Sequence, residues 1–396
     1  MCRFLTPFLC LLTMLLTGCP SAPSIAETES RSVPDLTMLD SVDLFTGSVK
    51  FFAFSEDGNT FIVGNKHDGV GLYRTSDHAL LERHYECEGE SLATPYGAYF
   101  CDTDATIYDL GYIDANTWYF SERIQRQNDI RVHVRTIHPP QEISASIIDD
   151  IPGNAIVSAN RNYIADNNGL IDWRMGKRYP TKTHVLEPKW HTVPTLTPDN
   201  RIITYPKKKT VIFDPLNDTM EVWKGAARLG KSIIVTPDNR HAIGLSTVNG
   251  KCTLWHWPER KEIGHCSPRA SRFSGNNSPH LELLSLAPGG KSFSVGVDNN
   301  VRVYRIEPFK LELEASMPGL VVALALSEDG RLAVYDDKGF LRIWNVGTGR
   351  LVGQRDFLKG KTSSYVPKLV FQPNGNKLFM MYGSIKVFEI PRQTIK

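Results

Sequence analysis

The sequence lacks an excess of charge of either sign. Its 45 Lys and Arg residues nearly balance 43 Asp and Glu residues, so the net charge at pH 7 is +2. Proteins that bind nucleic acid usually carry a clear basic excess or a basic stripe. The only basic cluster, at residues 207–209, lies in a predicted hairpin loop, where lysines are simply solvated. The charge balance therefore argues against nucleic acid as a partner.

A long apolar run is also missing. The longest one, residues 4–16, follows a single positive charge at Arg3 and is shorter than the about 20 residues that a membrane-spanning helix needs. It is typical of the apolar region of a secretion signal. The sequence Leu-Thr-Gly-Cys that follows, ending at Cys19, resembles the lipobox of bacterial lipoproteins. That resemblance implies that residues 1–18 are removed as a signal peptide and that Cys19 carries the lipid; an ordinary secretion signal with a chance cysteine is the alternative.

The residues after the lipobox indicate where in the cell envelope the protein is located. Position 20 is Pro and not the Asp that retains many such lipoproteins in the inner membrane. The resemblance therefore implies anchoring in the outer membrane, facing the periplasm. Residues 19–35 are polar and contain several Ser and Pro residues, which is typical of a flexible tether.

Cysteine is scarce, and no C-x-x-C spacing of a metal site is present. Signal removal and lipidation leave four of the seven cysteines, which allow three pairings. Cys252 and Cys266 lie symmetrically about a turn at Glu259, while Cys87 and Cys101 flank one loop. Because the periplasm is oxidising, we expect the disulfides Cys252–Cys266 and Cys87–Cys101. Buried free thiols are the alternative.

Catalytic signatures are absent as well. The sequence has neither a Gly-x-Ser-x-Gly elbow nor a His-Glu-x-x-His motif, and its eleven histidines are scattered. Residues 225–232 fit the phosphate-binding pattern G-x-x-x-x-G-K-[ST], but a strand and not the required helix is predicted to follow. We therefore expect no catalytic residue, no cofactor and no metal site, and a protein that is not an enzyme.

Short apolar runs separated by turn residues are what the sequence contains in abundance. Residues 321–354 hold four such runs, and the Asp-Gly pair at 329–330 tolerates the positive φ of a tight turn. Four antiparallel strands in about 35 residues form one blade of a β-propeller. A lone blade leaves two apolar faces exposed, so the pattern should repeat.

The pattern does repeat, at a spacing of about 40 to 58 residues, and periods of this size are typical of propellers. The cue is a strand, a turn rich in Asp, Asn and Gly, and a second strand. It occurs at residues 52–63, 110–120, 156–165, 194–204, 233–243, 284–295, 324–334 and 369–380.

The third strand of most repeats ends on an aromatic residue, which is expected to pack between neighbouring blades. In seven repeats this residue is Tyr73, Trp173, Phe213, Trp255, Tyr304, Trp344 or Phe388, and Val134 is taken as its equivalent in the second repeat. These strands resemble WD40 repeats, whose third strand ends in Trp-Asp, although only Asp214 keeps the Asp. The resemblance implies an all-β propeller over residues 36–396.

The ring must close to remove its sheet edges. The last repeat has three strands, and residues 36–45 offer an apolar segment that can supply the fourth. We therefore expect eight blades closed by an N-terminal strand. Seven blades is the alternative, because the third repeat is short and weak.

The predicted function is a protein-binding scaffold of the cell envelope, monomeric and held to the membrane by the lipid on Cys19. Long loops in compact domains are often functional, and the longest are residues 86–108, 123–129 and 267–280. The alternatives are a propeller hydrolase or lactonase, a sugar-binding protein, and an outer-membrane protein assembly factor, since the assembly lipoproteins include an eight-bladed propeller.

Overall fold

The structure, a computed structural model, describes a series of ranges between residues 35 and 390. They are residues 35–42, 49, 51–65, 69–84, 92–93, 99–100, 105–124, 129–148, 156–157, 163–166, 169–172, 177–180, 195–204, 210–224, 232–245, 252–266, 283–358, 366–382 and 384–390. Every named element in these ranges is a β-strand. Within the same ranges, no helix has the length and apolar character needed to cross a membrane.

The strands form consecutive four-stranded antiparallel sheets, which we number as units in chain order. Strand β1 (Met38–Val42) precedes them. Unit 1 consists of β2 (Phe51–Phe54), β3 (Thr60–Asn65), β4 (Gly69–Arg74) and β5 (Leu80–His84), and unit 2 of β8 (Ala105–Tyr112), β9 (Thr117–Ile124), β10 (Asp129–Thr136) and β11 (Gln141–Ile148). Unit 3 consists of β12 (Ile156–Val157), β13 (Tyr163–Asp166), β14 (Gly169–Asp172) and β15 (Lys177–Pro180). Unit 4 consists of β16 (Thr195–Leu196), β17 (Ile202–Thr204), β18 (Thr210–Asp214) and β19 (Thr219–Trp223).

Units 5 to 8 continue the series. Unit 5 consists of β20 (Ser232–Val235), β21 (His241–Leu245), β22 (Cys252–His256) and β23 (Lys261–Cys266), and unit 6 of β24 (Leu283–Leu286), β25 (Ser292–Val297), β26 (Asn300–Arg305) and β27 (Lys310–Ser316). Unit 7 consists of β28 (Val321–Leu326), β29 (Arg331–Asp336), β30 (Phe340–Asn345) and β31 (Arg350–Asp356). Unit 8 contains β32 (Lys368–Phe371), β33 (Lys377–Tyr382) and β34 (Ser384–Glu389). A separate pair, β6 (Leu92–Ala93) and β7 (Tyr99–Phe100), lies between units 1 and 2.

The turn between the first two strands is built in the same way in several units. In unit 7 the Ser327 hydroxyl donates to the Asp329 carboxylate and accepts from the backbone N–H of Arg331, and Gly330 has a φ of +79°. Thr236 makes the same two hydrogen bonds in unit 5, where Asn239 takes the positive φ. The short polar side chain therefore replaces backbone partners that a tight turn leaves unpaired.

The aromatic residues at the ends of the third strands are buried, and most of them lie in the seams between units, as the sequence predicts. Tyr73, Phe213, Trp255, Tyr304, Trp344 and Phe388 are all buried. Trp344 of unit 7, for example, shares an apolar cluster with Val301 and Val303 of unit 6. Tyr73 of unit 1 shares one with Phe379 of unit 8. Trp173 lies outside the described residues.

The assignment of Val134 to this aromatic position is wrong. In unit 7 the aromatic Trp344 pairs with Leu332, the second residue after the turn glycine, and a bulge precedes it on the side of β31. In unit 2 the residue that corresponds to Leu332 is Trp118, which pairs with Arg135. The bulge of this unit lies between Val134 and Arg135. An arginine therefore occupies the aromatic position of this unit.

The N-terminal strand adds to the C-terminal unit. β1 pairs with β34, so that unit 8 has the strand order β1-β34-β33-β32. Leu36, two residues before β1, is 2% exposed and lies in a cluster that contains side chains of units 7 and 8. Its backbone N–H donates to Gln354 of β31 at 3.0 Å, while Arg355 donates to its carbonyl at 2.8 Å.

The predicted Cys252–Cys266 disulfide is present in unit 5. The two residues are directly opposite each other on β22 and β23, with a Cα–Cα distance of 4.7 Å. Strand β20 begins at Ser232, the last residue of the phosphate-loop pattern, so the element after the pattern is a strand and not the helix that phosphate binding requires.

Candidate functional site

The seam between units 1 and 2 is polar at the position where the other described seams hold an aromatic ring. Arg135, at the aromatic position of unit 2, forms an ion pair with Glu82 on β5 of unit 1. It also donates to Glu142 on β11 at 3.0 Å. The Arg135 side chain is 17% exposed, so these pairs are only partly screened by solvent. A buried charge must be paired because desolvation penalises it.

His133 lies beside this pair and is held between two carboxylates. Its Nε2 is 2.8 Å from Glu122 Oε1, and its Nδ1 is 3.1 Å from Glu142 Oε2. Both His133 and Glu122 are buried. Burial by itself lowers the pKa of His133, but the hydrogen bonds and charges of Glu122 and Glu142 outweigh it and raise the pKa above the ordinary value.

His84, at the end of β5, completes the group from the side of unit 1. Its ring centroid is 5.1 Å from that of His133, and Phe120 packs against both rings at 4.6 and 4.4 Å. The Nε2 atom of His84 is buried and has no hydrogen-bond partner. Burial, and then the neighbouring His133, lower the pKa of His84.

We call His84, Glu122 and His133 the seam triad. Each offers one ligand atom, and these atoms lie within 4.8 Å of one another. Within the ranges that the structure describes, the seam triad is the only group of three or more His, Cys, Asp or Glu side chains whose ligand atoms are close enough to share a metal ion. Two imidazoles and a carboxylate are donors that suit zinc and related ions.

The position of the seam triad bears on its chemistry. First strands of neighbouring units contact one another, as β2 does with β8 and β28 with β32, so first strands lie innermost in the fold. The triad comes from a fourth, a second and a third strand, namely β5, β9 and β10. The triad therefore lies in the seam, away from the innermost strands. A hydrolase would instead gather its carboxylates beside the innermost strands, at a channel mouth.

Sequence reasoning missed this group because its members are far apart in sequence and match no motif. One signal was available. The second repeat is the one in which no aromatic residue ends the third strand. A charged residue at a seam position requires a partner in the neighbouring unit.

A second feature is the distribution of exposed apolar side chains. Most of the large ones lie on fourth strands or on β1, which takes the same outer place in unit 8. They are Met38, Leu39, Leu80, Leu81, Ile143, Met220, Val222 and Ile263. Three exposed apolar residues fall in one segment of unit 4: Leu216, Met220 and Val222 are 43%, 58% and 45% exposed. We call these three residues the rim patch.

Most of the site residues predicted from the sequence fall elsewhere. Cys19, Cys87 and Cys101 lie outside the described residues, as do residues 125–128 and 267–280 of the predicted contact loops and most of residues 86–108. Their predicted roles therefore remain predictions. Cys252 and Cys266 are in place, fully buried in the core of units 5 and 6.

Comparison with known proteins defines the fold. No protein-family profile and no curated protein sequence matches the chain. Among solved structures, it is similar to the C-terminal WD40 domain of Sif2, with a TM-score of 0.64 and 12% identity over 91% of this chain and 99% of that one. It is also similar to the computationally designed Ika8 protein, with a TM-score of 0.55 and 15% identity over 89% and 99% of the two chains. The all-β architecture of four-stranded antiparallel sheets is thus that of a WD40-like β-propeller.

Proposed function

We propose that the protein is an outer-membrane lipoprotein whose propeller binds a protein partner in the periplasm. The observation that carries the binding role is the rim patch. Exposed apolar residues on a monomer are usually scattered singly, and a group of them marks an interaction surface. Met220 and Val222 alternate along β19, so both side chains lie on the same face of that strand.

The place of the rim patch favours a polypeptide as the partner. β19 is the last strand of its sheet, so one of its edges has no neighbour within unit 4. Such an edge offers backbone N–H and C=O groups to an added strand. Backbone pairing, combined with apolar contacts of alternate side chains, is a recurrent mode of peptide recognition.

The predicted lipid anchor and the disulfide support the location. The lipobox ending at Cys19 implies an anchor, and a fully buried Cys252–Cys266 pair suits an oxidising compartment. We further propose that the eight four-stranded sheets are eight blades of a closed ring. The pairing of β1 with β34 and the apolar cluster shared by units 8 and 1 support closure.

Site-specific photo-crosslinking in cells tests the binding role. A crosslinker at Met220 should give an adduct with a defined envelope protein. The same group at Lys310, an exposed residue on the fourth strand of unit 6, should not. The double substitution Met220→Ser and Val222→Ser should abolish the interaction and leave the far-UV circular dichroism unchanged. Recovery of abundant envelope proteins alone at both positions would contradict the proposal.

The location has its own test. Labelling of cells with radioactive palmitate should mark the protein, and the Cys19→Ser variant should lose the label and leave the outer-membrane fraction. A Cys19→Ser protein that stays in that fraction would show that another element anchors the chain.

A further inference from the structure

We propose that the seam triad of His84, Glu122 and His133 binds one divalent transition-metal ion, with zinc as the best match, and so fastens unit 1 to unit 2. This site is separate from the rim patch on unit 4, and its test does not depend on partner binding.

The donor set is the first argument. Zinc is bound by imidazole nitrogen and carboxylate oxygen at about 2.0–2.2 Å, commonly with three protein ligands and a water. A tetrahedral arrangement with such bonds separates neighbouring ligand atoms by about 3.4 Å. The triad's separations, from 2.8 Å between His133 Nε2 and Glu122 Oε1 to a limit of 4.8 Å, bracket that value. Two imidazoles disfavour magnesium and calcium, which prefer oxygen ligands.

The second argument is the unsatisfied nitrogen of His84. A buried polar atom without a hydrogen bond costs free energy, and native proteins rarely keep one without a reason. His84 Nε2 is such an atom. A ring nitrogen of His84 lies at ligand spacing from the buried Glu122 carboxylate and the buried His133 imidazole. Coordination through Nε2 would satisfy that atom.

The surroundings provide the third argument. A metal-bound histidine usually donates its other ring N–H to a carboxylate, which orients the ring. Glu142 is placed for this role, 3.1 Å from His133 Nδ1, and Arg135 holds that carboxylate in turn. Phe120, fully buried, packs on both imidazoles and excludes water from one side.

Charge is the fourth argument. Among the side chains that the structure describes in this seam, Glu82, Glu122 and Glu142 carry carboxylates and Arg135 carries a guanidinium. Imidazoles that bind a metal are neutral. A site rich in carboxylates with neutral imidazoles favours a cation.

The test uses the protein with its own N-terminus, purified in detergent and freed of metal with a chelator. Titration with Zn²⁺ alone in a calorimeter should show one equivalent bound. Co²⁺ should give the visible absorption of a four-coordinate ion without thiolate charge-transfer bands. Glu142→Gln should weaken zinc binding by about 10- to 100-fold, as expected for loss of an outer-shell partner, and His84→Ala should weaken it at least as much.

The matched control is His265→Ala, which removes an exposed histidine that also pairs with a glutamate, Glu262, away from the seam. It should bind zinc as the wild type does. Circular dichroism must first show that each variant is folded, and His84→Gln replaces His84→Ala if that variant is not. Absence of zinc binding by the wild type would overturn the proposal. So would equal affinity in the folded His84 variant, and the triad would then be a metal-free polar network between the two units.

Discussion

The contact between Leu36 and Gly353 gives the sharpest test of how the N-terminal segment joins the fold. Leu36 is buried between units 7 and 8, and a Cβ added to Gly353 of β31 would overlap its side chain. No positive φ is involved at Gly353, so a substitution there tests space alone. Leu36→Ala should cost about 2–5 kcal/mol of unfolding free energy, the range for a buried leucine. Gly353→Ala should cost about 1–3 kcal/mol through overpacking.

The double variant distinguishes this contact from general damage. Because Leu36→Ala removes the atoms that the new methyl group would strike, the two substitutions together should cost less than their sum. A coupling of about 0.5–3 kcal/mol is expected for residues in direct contact. Gly347→Ala is the control, since its added Cβ meets only Asn345 Oδ1 at 3.6 Å, an ordinary contact.

The assay is urea unfolding of the wild type, the two single variants, the double variant and the Gly347→Ala control, combined with hydrogen exchange of the amides of Met38–Val42. In the Gly353→Ala variant these amides should exchange faster than in the Gly347→Ala control, because displacement of Leu36 loosens β1 from β34. Strictly additive effects, or a Gly353→Ala variant as stable as the Gly347→Ala control, would refute the packing of Leu36 described above.

Three further predictions concern the sheets and turns. Replacing Cys252 and Cys266 together by Ala should cost about 3 kcal/mol in non-reducing urea unfolding, because the disulfide joins residues 14 apart in sequence; a reducing agent should then destabilise the wild type but not the variant. Burial raises the pKa of the Asp336 carboxyl above its ordinary 3.8 despite the backbone N–H groups that donate to it. The charged form is therefore disfavoured in the folded state, and the stability of the wild type relative to Asp336→Asn should rise as the pH falls from about 6 to 4; a constant difference would contradict this. Gly330→Ala should cost about 1 kcal/mol, because a residue at a φ of +79° is strained when it carries a Cβ, whereas Gly330→Asn should cost less in the same unfolding assay, since Asn takes this place in units 4 and 5.

The local features of the fold could be predicted because short segments determine them. The turn of unit 7 follows from Ser327, Asp329 and Gly330, which are adjacent in the chain and make their own hydrogen bonds. The Cys252–Cys266 pair follows from a single hairpin in the same way. Repetition of these local patterns was enough to indicate a propeller and an N-terminal strand added to the last unit.

Tertiary structure alone decided what meets across a seam. Arg135 and Glu82 are partners because units 1 and 2 pack side by side. Val134 was assigned in error because no aromatic residue marks this position in the second repeat, and the apolar residue next to the true position was taken in its place. His84 and Glu122 likewise converge only when two sheets pack together. The sequence by itself therefore determined strands, turns and their repetition, which are local, whereas the polar seam depends on long-range packing and could be found only in the folded structure.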